Sequence, residues 1–197
     1  RLDQTVGGVM VFARSRMADS LLSRQVQAHT FQKDYLAVLE GVPAQASGVL
    51  EDQLRRDTAA RRTCVADAPG PDTRPARLSY RVLGEEDGRA LVLIRLETGR
   101  THQIRVHMAW IGHPLFNDER YGGDRILKGT TFAKYRQFIE NCFAVMPRHA
   151  LHARLLGFEH PATHENVLFE SPLPADFQSL LTKWNIYTSA AKETKEN

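Results

Sequence analysis

The chain has little cysteine, no long apolar run and almost no excess charge of either sign. Two cysteines, Cys64 and Cys142, in 197 residues give neither a disulfide framework nor metal-ligand spacing, so both read as free thiols. No apolar stretch approaches the roughly 20 residues of a membrane span. No basic-then-apolar leader opens the chain, and the expectation is a soluble, cytoplasmic protein with no membrane partner. A formal charge of +3 permits nucleic acid as a partner without requiring it, because only clustering of the charge would matter. There is no internal repeat, and 42% hydrophobic content suits one domain with a substantial core.

Cofactor and metal signatures are missing too. Gly7 and Gly8 precede an apolar run instead of following a strand, and neither the GxGxxG nor the Walker pattern is present. His102 and His107 stand about 500° apart around a helix, so they do not share a face as an i,i+4 metal pair would. Zinc is not expected, and a metal-dependent hydrolase lacks a ligand set among the eight histidines.

What is present concentrates in Leu96–His107, which holds two arginines, two histidines and a glutamine. Ile104, Met108 and Ile111 recur there at helical spacing, so polar groups share a helix with a core-facing stripe. A strand, Ala90–Leu96, runs into the turn pair Thr98-Gly99, and the helix is expected to continue to Gly112, with Pro114 just beyond. Its first turn would carry Arg100, His102 and Arg105 where unpaired backbone N–H groups favour an anion, either a carboxylate or a phosphate.

The rest of the chain reads as alternating strands and helices. Val9–Ala13 is expected to form a strand buried on both faces, and Ser15–His29 a helix with Met17, Leu21, Leu22 and Val26 inward. Phe31–Val42 is a strand, Ser47–Leu50 a short one, and an arginine-bearing, then Pro/Gly/Asp-rich segment follows to Pro75. Ala76–Leu83 and Ala90–Leu96 form a hairpin with its turn at Gly84–Gly88. Pro114–Gly123 is a loop, and Phe132, Tyr135, Phe138, Ile139 and Phe143 mark a second helix without a chemical role. Ala150–Phe158 and Val167–Phe169 form a closing strand pair, and a last helix runs from Pro174 to about Asn185 with Phe177, Leu180, Leu181 and Trp184 inward. The chain is divided into one domain, 1–187, and a polar tail, 188–197, expected to be disordered.

The run LETGRTHQIRVHMAWIGHPLFNDERYGG resembles the signature of the RluA/RluD-type RNA pseudouridine synthases. Two shorter motifs precede it in the order of that family. Arg1-Leu2-Asp3, followed five residues later by Gly8, resembles the first, with Val6 and Gly7 departing from its common Thr-Ser pair; Lys33–Gly41 resembles the second. The resemblance covers roughly residues 1 to 177. It implies an α+β fold with a mixed, largely antiparallel sheet flanked by helices around a central active-site cleft. It also implies isomerisation of specific uridines in ribosomal or transfer RNA, after base flipping and without a cofactor. Because the chain starts at Arg-Leu-Asp with no methionine, a missing upstream segment that supplies part of the sheet is expected.

The same resemblance implies roles residue by residue. Asp3 is the nucleophile, attacking either the uracil ring or the ribose; Arg105 is its counter-charge; Tyr35 stacks on the base or relays a proton. Arg1 holds the flipped nucleotide's backbone or fills the space it leaves. Arg55, Arg56, Arg61 and Arg62 contact phosphates, and Arg100, His102 and Gln103 complete the RNA-binding set. The competing reading is a lapsed scaffold that grips RNA without modifying it.

Overall fold

The computed structural model describes residues 2–125 and 133–186. Eight strands form one sheet: β1 (Gly7–Gly8), β2 (Gln32–Glu40), β3 (Ser47–Asp57), β4 (Arg62–Ala66), β5 (Thr73–Glu86), β6 (Arg89–Leu96), β7 (Leu151–Glu159) and β8 (Asn166–Glu170). Their order is β1-β7-β2-β6-β5-β3-β4, with β8 also paired to β7. Among the described strands only β1 and β7 run parallel, so the sheet is mixed and largely antiparallel as expected. Among the described residues four α-helices flank it: α1 (Arg16–Gln27), α2 (Gln103–Trp110), α3 (Ala133–Val145) and α4 (Ala175–Lys183). Among the described residues no helix is long and apolar enough to cross a membrane.

The continuous apolar run of β2 has a direct cause, because both faces of the sheet are covered. Leu36 and Val38 pack with Leu91 and Phe116 under α3 and α4, whereas Ala37 and Leu39 join Val92 and Ile94 under Ile104 and Met108 of α2. Successive residues of one strand therefore build two cores. In α4, Phe177, Leu180 and Leu181 face the first core, joined by Trp184 at its C-cap, as their spacing predicts. Phe132, expected in α3, and the tail from Thr188 lie outside the described residues.

Several expectations are corrected. The strand at Val9–Ala13 does not form: only Gly7–Gly8 pairs, Val9 N–H makes one more bond to Ala153 O, and Met10 and Phe12 are 46% and 78% exposed. Among the described residues β1 pairs with β7 alone, so the segment after it gains no second strand to pair with. Helix α1 begins at its N-cap Ser15, whose hydroxyl accepts from Ala18 N–H, but buries only Leu22, against Phe31 and Phe158. Met17 and Val26, read as inward, are exposed because α1 touches the sheet along one line.

Ser47–Leu50 is the start of an eleven-residue strand, and the arginine-bearing interval after it is the β3–β4 hairpin. β3 alternates weakly because Leu54 is its one buried residue, so its length is set by backbone pairing to β5. That pairing also draws Thr73–Pro75 into β5. The β5–β6 turn is Asp87-Gly88, both at positive φ, which matches the twist of a two-residue hairpin; Gly84 sits at a register shift inside β5.

Candidate active site

β7 lies between β1 and β2, and its Ala153 is the register partner of Gly8 on one side and of Tyr35 on the other. The loop that carries Asp3 and the strand that carries Tyr35 thus meet across one small residue. Gly8 is required there: at φ 130° any Cβ would lie 2.2 Å from the carbonyl oxygen of Ala153. On the β2 side, Asp34 pairs with Leu155 and Tyr35 with Ala153, leaving Arg154 as an unopposed extra residue. Bulges of this kind re-aim neighbouring side chains next to sites.

The Asp3 loop is a tight turn. Val6 N–H donates to Asp3 O at 3.2 Å, Thr5 sits at φ 70°, and Thr5 O accepts from Arg148 Nη1 at 3.2 Å. Arg148 also donates to Leu151 O and, through Nε and Nη2, to both carboxylate oxygens of Asp176 on α4. One guanidinium therefore ties the loop to β7 and α4.

Helix α2 is shorter than its sequence pattern. It starts at Gln103, and His102 before it adopts a left-handed conformation, φ 56°. Gln103 is 2% exposed; its side-chain oxygen accepts from Arg100 N–H and Thr98 Oγ1, and its amide donates to Arg77 O. It fastens the entry to the helix and presents no group to a ligand. Arg100 lies in the same turn with its Nε donating to Pro75 O.

Arg105 follows one turn later. Its Nε and Nη2 donate to Asp118 at 2.7 and 2.8 Å, its Nη1 lies 3.5 Å from Asp3 Oδ2, and its plane covers the Tyr121 ring at 5.0 Å. The anion expected at this helix start is supplied by the protein itself, twice over. Arg105 and Asp3 are brought together as expected, but Asp118 holds the guanidinium and Asp3 takes its remaining edge. His102 lies 4.0 Å from Asp3, and its Nδ1 is 2.9 Å from the Tyr121 hydroxyl.

Burial governs the titration of this cluster. It pushes the Tyr35 phenol up to about 12, with the negative charge of Asp3 adding to the shift. Burial lowers His102, partly offset by Asp3, and pushes His149 down to about 4, with Arg105 contributing next. At neutral pH the site holds a protonated phenol and two neutral imidazoles around one arginine.

The remaining candidates are dispersed. Arg1 lies outside the described residues. Arg55, Arg56, Arg61 and Arg62 are exposed on the β3–β4 hairpin, and none of their guanidinium groups makes an ion pair among the described residues. Arg55 and Arg56 are successive strand residues and project to opposite faces, so the four do not make one patch. Sequence reasoning gave no role to Asp118, Tyr121, Arg148 or His149. The first two lie inside the long signature, where an acid three residues before an aromatic was a usable signal; Arg148 and His149 carried none.

The family model described as RNA pseudouridylate synthase matches residues 1–110. A ribosomal large subunit pseudouridine synthase D of Haemophilus ducreyi is 39% identical over 182 residues, covering 92% of this chain and 53% of that protein. RNA pseudouridine synthase 2, chloroplastic, of Oryza sativa subsp. japonica is 36% identical over 97% of this chain and 45% of its own length. The chain thus spans about half the length of the curated relatives it matches. Among solved structures, human RNA pseudouridylate synthase domain containing 1 superposes with a TM-score of 0.73 at 25% identity, covering 100% of this chain and 79% of that one. The matched segment is the one that holds Asp3, Tyr35 and Arg105, and the chain belongs to the RNA pseudouridylate synthase family, of the RluA/RluD type.

Proposed function

We propose that this chain isomerises uridine to pseudouridine in RNA, with Asp3 as nucleophile. The observation that carries the reading is the Asp3 carboxylate, 24% exposed, with Arg105 Nη1 3.5 Å behind it. That arginine is itself fixed by a fully buried Asp118, so the positive charge stays in place when the ligand changes.

The reaction breaks the bond from ribose C1′ to uracil N1 and makes one from C1′ to C5, with a proton leaving C5 and one arriving at N1. Asp3 can serve by attacking either C1′ or the uracil ring, and the product of either attack needs the base held while it turns. Tyr35 suits that holding role, because a phenol at about 12 is protonated at neutral pH and acts as a ring platform and hydrogen-bond donor. A stacked uridine cannot reach the cleft, so the nucleotide is flipped out at a cost of a few kcal/mol, about least in loops and bulges. The Haemophilus ducreyi relative is named for the large ribosomal subunit, and ribosomal RNA is accordingly the substrate proposed.

The test is tritium release from RNA labelled at uridine C5, comparing the parent chain with Asp3→Asn. Release by the parent and a loss of roughly a thousandfold or more in the variant, with RNA retention unchanged, is the expected result. Equal release by both would remove Asp3 from the chemistry. No release by either, with RNA bound by both, would favour the lapsed scaffold.

A further inference from the structure

A groove of about 630 Å³, lined in part by Tyr121, runs between α2, the β3–β4 hairpin and residues 119–125. Its floor includes Val106 and the ring of Tyr121, and its rim carries Trp110, Arg62, Arg120 and Arg125. Glu119 and Asp124 also line it, so the arginines outnumber the acids there by one.

Trp110 is the unusual member. It is 61% exposed, whereas the chain's other tryptophan, Trp184, is 2% exposed and enclosed by Phe116, Phe138 and Arg89. No ring contact or hydrogen bond of the Trp110 side chain is found among the described residues. A bare indole beside exposed guanidinium groups is the combination that holds single-stranded nucleic acid, where bases stack on aromatic faces and arginines follow the backbone.

The groove shares Tyr121 with the Asp3–Arg105 cluster. The Tyr121 hydroxyl bonds His102 and Thr63, and its ring carries Arg105. Arg120 is held to the hairpin by Nη1 donating to Arg61 O, which keeps its charge beside that of Arg62. We infer that this groove is a second RNA subsite, in which a nucleotide flanking the target uridine stacks on Trp110 while Arg62, Arg120 and Arg125 hold its phosphates. The inference rests on the isomerase reading only in taking RNA as the ligand.

The experiment uses the full chain and a stem-loop RNA whose loop contains uridines, with tryptophan fluorescence and tritium release read in parallel. Because Trp184 is enclosed, quenching on RNA addition reports Trp110. Quenching by the RNA is expected, together with a KM for Trp110→Ala raised by between about 5- and 100-fold at unchanged kcat. Trp110→Phe should restore most of the affinity, because a phenyl ring still stacks. Parent turnover with an unaltered KM in Trp110→Ala would overturn the subsite and leave the isomerase standing. Quenching and lost affinity in a parent that releases no tritium would support the subsite while removing the isomerase. A drop in sedimenting mass of RNA-free Trp110→Ala, with RNA affinity unchanged, would assign the groove to a contact between copies and overturn the proposal.

Discussion

Arg89 and Arg105 are both buried and both bound to a carboxylate, yet one closes a core and the other reaches the partly exposed Asp3. Arg89 stands opposite Glu40 across β6 and β2, and the pair is 1% and 0% exposed. Its guanidinium lies over Trp184 and Tyr135, and its Nη1 donates to Asp87 O and to the Tyr135 hydroxyl. Enclosure is so complete that burial outweighs Arg89's attraction and pushes Glu40 up to about 7. Arg105 instead meets Asp118 edge to edge and keeps one amino group for Asp3. One buried arginine thus spends its whole guanidinium inside a core, while the other keeps an edge for a partly exposed carboxylate.

Breaking the second pair should have the larger effect. Arg105→Met leaves Asp118 buried and unpaired, and should cost about 3–5 kcal/mol in denaturant unfolding. It should also lower tritium release by at least roughly a hundredfold. Adding Asp118→Leu should restore stability but not turnover, which would separate the two roles of Arg105. Arg89→Met should destabilise less, about 2–3 kcal/mol, because Glu40 can take up a proton, and turnover per folded molecule should stay at the parent value. The sign follows from Glu40's raised folded pKa: its contribution is present at low pH and lost as pH rises. Losing Arg89's attraction raises Glu40 further, so the variant keeps losing stability where the parent has stopped, and the Arg89→Met deficit should grow as pH rises above about 7.

Two smaller effects sharpen the contrast. Gly8→Ala would place a Cβ 2.2 Å from Ala153 O and shift the loop carrying Asp3. A loss of about 10- to 100-fold in kcat with little change in KM is expected, and Arg148→Lys should act in the same direction by loosening Thr5. The smallest effect is in acid. His149, lowered to about 4 from 6.5, leaves the folded state binding fewer protons than the unfolded chain. Stability is full above about pH 6.5 and falls as pH drops toward 4. His149→Gln should remove a part of that fall on the order of 1–2 kcal/mol, read from urea midpoints at pH 7 and pH 5.

The same contrast shows what was legible in advance. Arg105 could be read because its neighbours in sequence form a long motif, and Asp3 and Tyr35 because each sits in a short one. Arg89 could not: a lone arginine after Asp87-Gly88 looks like a solvated turn residue until the rings of Tyr135 and Trp184 close over it. Gln103 misled for the opposite reason, since a polar residue within the motif read as a ligand contact while its hydrogen bonds build the turn. The false strand at Val9–Ala13 arose because apolar periodicity reports what a segment would bury, not whether a neighbour is there to bury it.

By itself the sequence determined the strand at β2, the β5–β6 hairpin, the inward face of α4 and the three motifs, because each depends on neighbours within a few residues. Only the tertiary structure decided that β7 comes between β1 and β2. That placement brings residues 3 and 35 together, sets Arg148 under the Asp3 loop and leaves Asp118 to fix Arg105. These contacts span long separations, and the chain encodes them through mutual packing of whole elements, which no local pattern records.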